Sequence, residues 1–432
     1  MNYSKHNIQS KIHGRNEYFI CNLLSGNVDL LSRDEAELNT TDIELLHAKG
    51  YLADEKEERL AYRNKYLDFL DARDDSEIQI FFVPTYACNF SCSYCYQDGY
   101  PPEAGSLTKE VIDSFYAYID STFAGRDKYI TLFGGEPLLP GNQYKDLIAY
   151  FLKGAGERGL DTAIVTNGYH LAEYSELLEK HSIREVQVTL DGTETVHNRR
   201  RPSKKGEGTF TRIVQGIDGA LDAGFPVNIR VVVDKENITD LPALAAFAKE
   251  KGWTDNPLVK TQLGRNYELH YCRSKQDHLF TRSELQQTLY DMVKDYPALL
   301  DFHRPAFSVS RYLADNGTLP DPLYDSCPGC KSEWAFDYTG KIYSCTATVG
   351  KTDEQLGTFY PRVSLDEEKV EQWEERDVTT IAECADCPVQ LACGGGCAAV
   401  AKNKNGDLLS PDCRPIREEL ELGLSLYFSN EK

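Results

Sequence analysis

Three cysteines, Cys88, Cys92 and Cys95, stand within eight residues of one another in the run CNFSCSYC. The spacing C-x3-C-x2-C offers three thiolates, one fewer than a closed tetrahedral zinc site or a fully ligated 4Fe–4S cluster takes. Three ligands on one short loop point to a cubane with one iron left open to something else. A loop of buried structural cysteines is the plainer alternative, but packing alone does not ask for three so close together. Eight more cysteines crowd the C-terminal part of the chain: Cys327, Cys330 and Cys345, then the C-x2-C-x5-C-x3-C run of Cys384, Cys387, Cys393 and Cys397, then Cys413. Eight thiolates suffice for two fully ligated 4Fe–4S clusters or for two four-thiolate zinc sites. Cys21, inside an apolar run, reads as a small core residue, and Cys272 fits no pattern.

These side chains need a scaffold, and the pattern supplies one. From about 78 to 265, short strands rich in Val, Ile, Thr and Phe alternate with longer helical stretches. Strands are expected at 78–84, 129–133, 162–166, 185–190, 227–233 and 259–263. Repeated strand–helix units imply a parallel sheet, and six units are too few for a closed eight-fold barrel. Ligands gather at the carboxyl ends of such strands. GGEP (Gly134 to Pro137), TNG (Thr166 to Gly168) and TLDG (Thr189 to Gly192) all fall there. Before this unit, residues 1–76 read as a β-hairpin around Ser25, Gly26 and Asn27, then short helices capped by Ser32 and Thr41. After it, 281–326 form a bridge with helices over 283–300 and near SVSRYLADNG. A cysteine-rich region spans 327–432 and closes on a helix over PIREELELGLSLYF.

Composition bounds the function. A net charge of −21 argues against general affinity for nucleic acid, which needs a cationic surface. No run approaches the roughly 18 apolar residues of a membrane span. The start, MNYSKHNIQSKIHG, lacks the apolar stretch of a secretory signal. A cytoplasmic protein is expected, where patterned cysteines usually mean metal or catalysis rather than disulfides.

The triad, with an aromatic residue, Tyr94, just before its last cysteine, resembles the signature of the radical S-adenosylmethionine (SAM) superfamily. That resemblance implies a partial (β/α)6 barrel over 77–280, within an α/β fold. It also implies a cluster held by Cys88, Cys92 and Cys95 whose open iron chelates SAM, and reductive cleavage of SAM to a 5′-deoxyadenosyl radical that abstracts hydrogen from a substrate. By the same resemblance, Gly134, Gly135, Glu136 and Pro137 receive the SAM amino group. Asn167 falls in the TNG turn, and Thr189 and Asp191 stand near the methionyl carboxylate and ribose. HNRRRP (His197 to Pro202) is similar to a run found after this strand in relatives. Arg212 is the expected partner of the SAM carboxylate, with Arg230 as runner-up, and Leu263 is expected to pack on adenine. A one-electron donor such as a flavodoxin or ferredoxin with its reductase is implied as a partner.

The C-terminal pattern resembles the SPASM domain, whose signature runs C-x9-15-G-x4-C, then C-x2-C-x5-C-x3-C, then a last cysteine. Here Gly340 and Cys345 complete the first part. Carried over by position, Cys327, Cys330, Cys345 and Cys397 hold one auxiliary 4Fe–4S cluster, and Cys384, Cys387, Cys393 and Cys413 hold another. Such enzymes mostly act on polypeptides, and residues 1–76 are similar to small winged-helix modules that recognise leader peptides, or serve as a cover for the barrel. The expectation is a maturase of a ribosomally synthesised peptide, forming a thioether, a carbon–carbon crosslink or an epimer. An anaerobic sulfatase (formylglycine) maturase is the alternative. Relatives of that kind carry an acidic residue after the cysteine equivalent to Cys345, whereas Thr346, Ala347 and Thr348 follow it here. A non-catalytic iron–sulfur carrier or zinc-stabilised binding protein is the rival from another class.

Overall fold

Why a parallel sheet forms is visible in the strands' burial on both faces. In β6 (Ile78–Val83), Ile78, Ile80, Phe81, Phe82 and Val83 are all buried, as a strand covered by helices requires. The computed structural model describes residues 2–37, 42–99, 105–266 and 276–428. Thr41 and Cys272 lie outside them.

Chain order begins with β1 (Asn2–Tyr3), β2 (Asn7–Lys11), β3 (Tyr18–Asn22), β4 (Asn27–Leu31) and β5 (Leu52–Ala53). β2, β3 and β4 form an antiparallel sheet, and β1 pairs with β5. The expected hairpin is β3–β4, with β2 added as a third strand. Helices α1 (Arg33–Ala36), α2 (Ile43–Ala48) and α3 (Glu55–Asp74) follow. Ser32 caps α1 in a reciprocal capping box with Glu35, and Asp42 caps α2.

The central unit then runs β6, α4 (Lys109–Thr122), β7 (Lys128–Leu132), α5 (Asn142–Glu157), β8 (Thr162–Thr166), α6 (Leu171–Leu178), β9 (Ile183–Thr189), α7 (Glu194–Arg200), α8 (Phe210–Asp222), β10 (Val227–Val233), α9 (Leu241–Glu250) and β11 (Val259–Arg265). All six strands are parallel and pair in sequence order. The sheet does not stop at β6. A strand from the cysteine-rich region, β12 (Glu333–Asp337), pairs in parallel with β6, putting Glu333 beside Gln79. Antiparallel β13 (Lys341–Tyr343), β14 (Gly357–Thr358) and β15 (Ser364–Leu365) complete ten strands. The expected six-unit barrel is thus the larger part of a longer sheet.

Two principal cores result. One joins the barrel strands to their helices and to Trp334, Phe336 and Phe359 of the C-terminal region. The other joins Ile8, Phe19 and Cys21 of the N-terminal sheet to Tyr324, Leu391, Cys384, Cys393 and the last helix, Ile416–Tyr427. Residues 1–76 therefore cover the cysteine-rich region rather than the barrel. α3 reaches the same core through Tyr62, Tyr66 and Phe69, with Tyr66 donating to Asp377 at 2.7 Å.

Candidate active site

The carboxyl ends of β6 to β10 converge on one cavity of about 660 Å³. Cys88, Cys92 and Cys95 line it from the loop after β6, and Gly134 and Gly135 from the loop after β7. Asn167 follows β8, Thr189 ends β9 and Arg230 lies on β10. From the cysteine-rich side, Cys327, Cys345 and Cys397 open on the same cavity. The expected triad and three of the four residues of the first expected quartet thus share one space.

The cysteine loop is held from two sides. Gly135 N–H donates to the Thr85 carbonyl at 3.1 Å and Glu136 N–H to that of Ala87 at 2.9 Å. A Cβ on Gly135 would stand 2.3 Å from the Ala87 oxygen, and Gly134 has φ 137°, so both positions need glycine for this close approach. On the other side, Ser91 N–H donates to Pro202 O at 2.9 Å and Ser93 N–H to Arg200 O at 3.0 Å. The HNRRRP run is therefore the clamp on the cysteine loop.

Beneath this clamp lies a buried charge network. Asp191 is fully buried; it accepts from Tyr94 Oη at 2.5 Å, from Val232 N–H at 2.9 Å and from Arg200 Nε at 3.4 Å. Arg200 also donates to Asp234 at 2.7 Å. Arg201 donates from Nη1 to Tyr94 Oη at 2.6 Å, while its buried Nε has no hydrogen-bond partner. Arg201 lines the cavity, where burial works against its charge and the neighbouring Cys92, Tyr94 and Asp191 favour it. Burial lifts the Cys88 thiol to about 12, with the Glu136 charge adding to it.

The sequence-predicted residues divide accordingly. Gly134, Gly135, Asn167 and Thr189 line the cavity. Glu136 and Pro137 are buried; Glu136 accepts from Thr166 Oγ1 (2.6 Å), Asn167 N–H (2.7 Å) and Leu138 N–H (2.9 Å), stapling the GGEP loop to the TNG loop. Desolvation raises its carboxyl pKa, and those bonds oppose the rise. Asp191, as shown, faces its own network. Arg212 lies elsewhere: nearly half exposed, it pairs with Glu173 and stacks over Tyr169, because α8 turns it away from the strand ends. The arginine that reaches the cavity from this region is Arg201, inside the quoted HNRRRP run. Leu263 packs on the barrel–helix core and does not line the cavity.

Glu333, which sequence reasoning passed over, lines the cavity from β12. Its carboxylate accepts from Thr346 N–H at 3.1 Å, and burial pushes its pKa up to about 7. Only the pairing of β12 with β6 brings it here, so residue order alone could not reveal it.

The eight C-terminal cysteines separate into two sets of mutually interacting thiols. Cys384 feels the charges of Cys393, Cys387 and Cys413. Cys330 feels Cys345 and Cys327, while Cys397 acts on both Cys345 and Cys327. Among the described residues, no three His, Cys, Asp or Glu side chains converge on a single ion. Each set gathers its thiols together; Cys327, Cys330 and Cys345 are buried in the first, and Cys384 and Cys393 in the second, where Cys413 is exposed. Gly394, Gly395 and Gly396 all have positive φ (59°, 72° and 72°), and a Cβ on Gly396 would stand 2.1 Å from the Asp412 carbonyl oxygen. The loop between Cys393 and Cys397 therefore presses on the segments that lead into Cys327 and Cys413.

The family model described as the Radical SAM superfamily matches residues 82–248. A GTP 3′,8-cyclase of Rhizobium leguminosarum bv. trifolii (strain WSM2304) is 32% identical over 280 residues, covering 62% of this chain and 73% of that protein. Relatives of that name are spanned over between 49% and 76% of their length. Among solved structures, native anSMEcpe with bound AdoMet and Cp18Cys peptide has a TM-score of 0.64 at 18% identity, covering 82% of this chain and 99% of that one. Streptococcus suis SuiB bound to precursor peptide SuiA has a TM-score of 0.57 at 14% identity, covering 96% and 99%. At those identities the likeness is one of fold.

Proposed function

The chain belongs to the radical SAM superfamily, and we propose that this radical SAM enzyme modifies a peptide or protein, as a maturase of a ribosomally made peptide. In this reading Cys88, Cys92 and Cys95 hold a 4Fe–4S cluster with one iron open to SAM. Cys327, Cys330, Cys345 and Cys397 hold a second cluster, and Cys384, Cys387, Cys393 and Cys413 a third. The donor set fits: three thiols on one loop face a cavity, beside a buried arginine whose Nε lacks a partner. Loaded, these centres supply reductive cleavage of SAM, a radical that takes hydrogen from the substrate, and a route for electrons.

The chain's own part is placement. The Gly134–Gly135 backbone and the side chains of Asn167 and Thr189 offer polar contacts at the strand ends to a small zwitterionic ligand. Arg201 offers the cation expected for a carboxylate. Glu333 offers a carboxylate to the substrate from β12, beside β6.

The observation that carries the peptide reading is the shared cavity, in which the cysteine triad and Cys327, Cys345 and Cys397 face one space walled by Gln79, Thr131 and Gln187. Such amide and hydroxyl walls suit peptide backbone. Two fold neighbours are solved with peptides bound, which supports the same class of substrate.

A nucleotide substrate is the second reading, since the curated relatives are named GTP 3′,8-cyclase and Arg184, Arg230, Lys260 and Arg265 also line the cavity. Arg184 and Lys260 are already paired with Glu77 and Glu185, which weakens that cationic wall. The test is product analysis by mass spectrometry with reconstituted enzyme, SAM and dithionite. It offers GTP and a short peptide encoded beside the gene in turn. A mass change or deuterium incorporation in the peptide supports the proposal; conversion of GTP alone replaces it with the second reading.

A further inference from the structure

Arg376 is completely buried, yet among the described residues it makes no ion pair. Its guanidinium is spent on backbone carbonyls: Nε donates to Leu408 (2.7 Å), Nη1 to Gly396 (3.1 Å), and Nη2 to Gly395 (2.9 Å) and Ser410 (2.9 Å). An arginine keeps its charge in any protein site, and a buried cation without an anion is costly. The buried carboxylate that its charge reaches, Asp325, is already paired with Lys331.

Gly395 and Gly396 belong to the loop between Cys393 and Cys397, residues of different quartets. Leu408 and Ser410 belong to the run into Cys413. The carbonyl of Arg376 accepts from Lys331 Nζ at 2.7 Å. Lys331 in turn pairs with buried Asp325, which accepts from Cys327 N–H at 2.9 Å. One residue thus ties together the segments that carry Cys327, Cys393, Cys397 and Cys413. Its charge is also felt at Cys384.

We propose that Arg376 is a positioning residue shared by the two auxiliary clusters, holding the ligand loops in register and supplying the fixed positive charge that balances them. The inference rests on the auxiliary-cluster reading above. A 4Fe–4S cluster with four thiolate ligands is anionic, and gains a further negative charge on reduction. A fixed cation beside it favours the reduced state, so neutralising Arg376 should make the auxiliary centres harder to reduce.

The test uses the full chain with Cys88, Cys92 and Cys95 replaced by Ala, reconstituted anaerobically with iron and sulfide. Only auxiliary signals then remain. Iron content and an EPR-monitored redox titration are compared for Arg376, Arg376→Lys and Arg376→Gln. The expected result is at least a tenfold shift of one auxiliary reduction equilibrium toward the oxidised form in Arg376→Gln, about 59 mV for a one-electron couple. Arg376→Lys should stay near the parent, because it keeps the charge. Full iron loading with unchanged potentials in Arg376→Gln would overturn the proposal. Should Arg376→Gln load no iron, recovery of loading by Lys supports it, and failure of Lys overturns the role of the charge. A parent chain that takes up no iron would instead bring down the auxiliary-cluster reading.

Discussion

At the scale of single residues, the cysteines were legible because ligand spacing is written along the chain, while their supporting charges were not. HNRRRP presents three arginines in a row; Arg199 is exposed, whereas Arg200 and Arg201 are buried. Helix position decides this, and the helix α7 that ends at Arg200 is fixed only by its packing beneath the cysteine loop. Arg212, chosen by spacing, stands on the outside of α8 for the same reason. Glu333 yields a prediction at this scale. Glu333→Gln keeps an acceptor for Thr346 N–H but removes the carboxylate charge from the cavity. Peptide modification should fall by about tenfold or more, the loss of one hydrogen bond to a charged group, while SAM cleavage without peptide holds. Measuring both products in one assay checks it; equal loss of the two, or of neither, would show that Glu333 does not meet the substrate.

At the scale of elements, the six barrel strands were readable because buried parallel strands are continuous apolar runs bounded by helices. Other elements escaped, α3 and β12 among them. α3 has no buried residue, so its polar sequence gives no amphipathic signal, although Tyr62, Tyr66 and Phe69 along it touch the second core. β12 hides in CKSEWAFDYTGK, where a cysteine pattern competes for the reading and the partner strand lies some 250 residues away. The N-terminal sheet leaves β4 as an edge, with Leu30 exposed on it. If a leader peptide adds to that edge, Leu30→Asp should weaken peptide binding by about tenfold, or 1.4 kcal/mol, without lowering SAM cleavage. Unchanged affinity in a fluorescence-anisotropy titration would exclude this edge.

The same module carries a pH dependence. His6 is buried beside Ser4, Lys5 and Tyr62, and burial, with Lys5 adding to it, lowers its pKa to about 4. Beside the barrel, burial and then Arg311 lower His303 to about 4 as well. Both pKa values lie below the unfolded value near 6.5, so the stability they contribute is present above about pH 6.5 and is lost as pH falls toward 4. Each should cost about 1.4 kcal/mol by pH 5.5. Urea midpoints at pH 7.5 and 5.5 measure this; His6→Phe should remove about half of the difference, and a difference unchanged by it would contradict the assignment.

At the scale of the whole molecule, one sheet runs from the barrel into the cysteine-rich region, and the N-terminal module seals that region from the far side. Cavity, quartets and module are therefore one mechanical unit. Removing residues 1–76 would bare Tyr324, Leu391 and the last helix, and so would disturb the auxiliary region along with any peptide site. Among the described residues no helix is long and apolar enough to cross a membrane. The central claim is that this unit holds three iron–sulfur clusters, of which only the Cys88–Cys92–Cys95 site cleaves SAM. Anaerobic reconstitution of the chain and of its triple Ala variant at these cysteines, followed by iron analysis and assay with SAM and dithionite, tests it most directly. The unsubstituted chain should hold about twelve irons and the variant about eight, four per cluster, with 5′-deoxyadenosine formed by the unsubstituted chain alone. Tightly bound zinc in place of iron, or nucleoside formed by the variant, would contradict it.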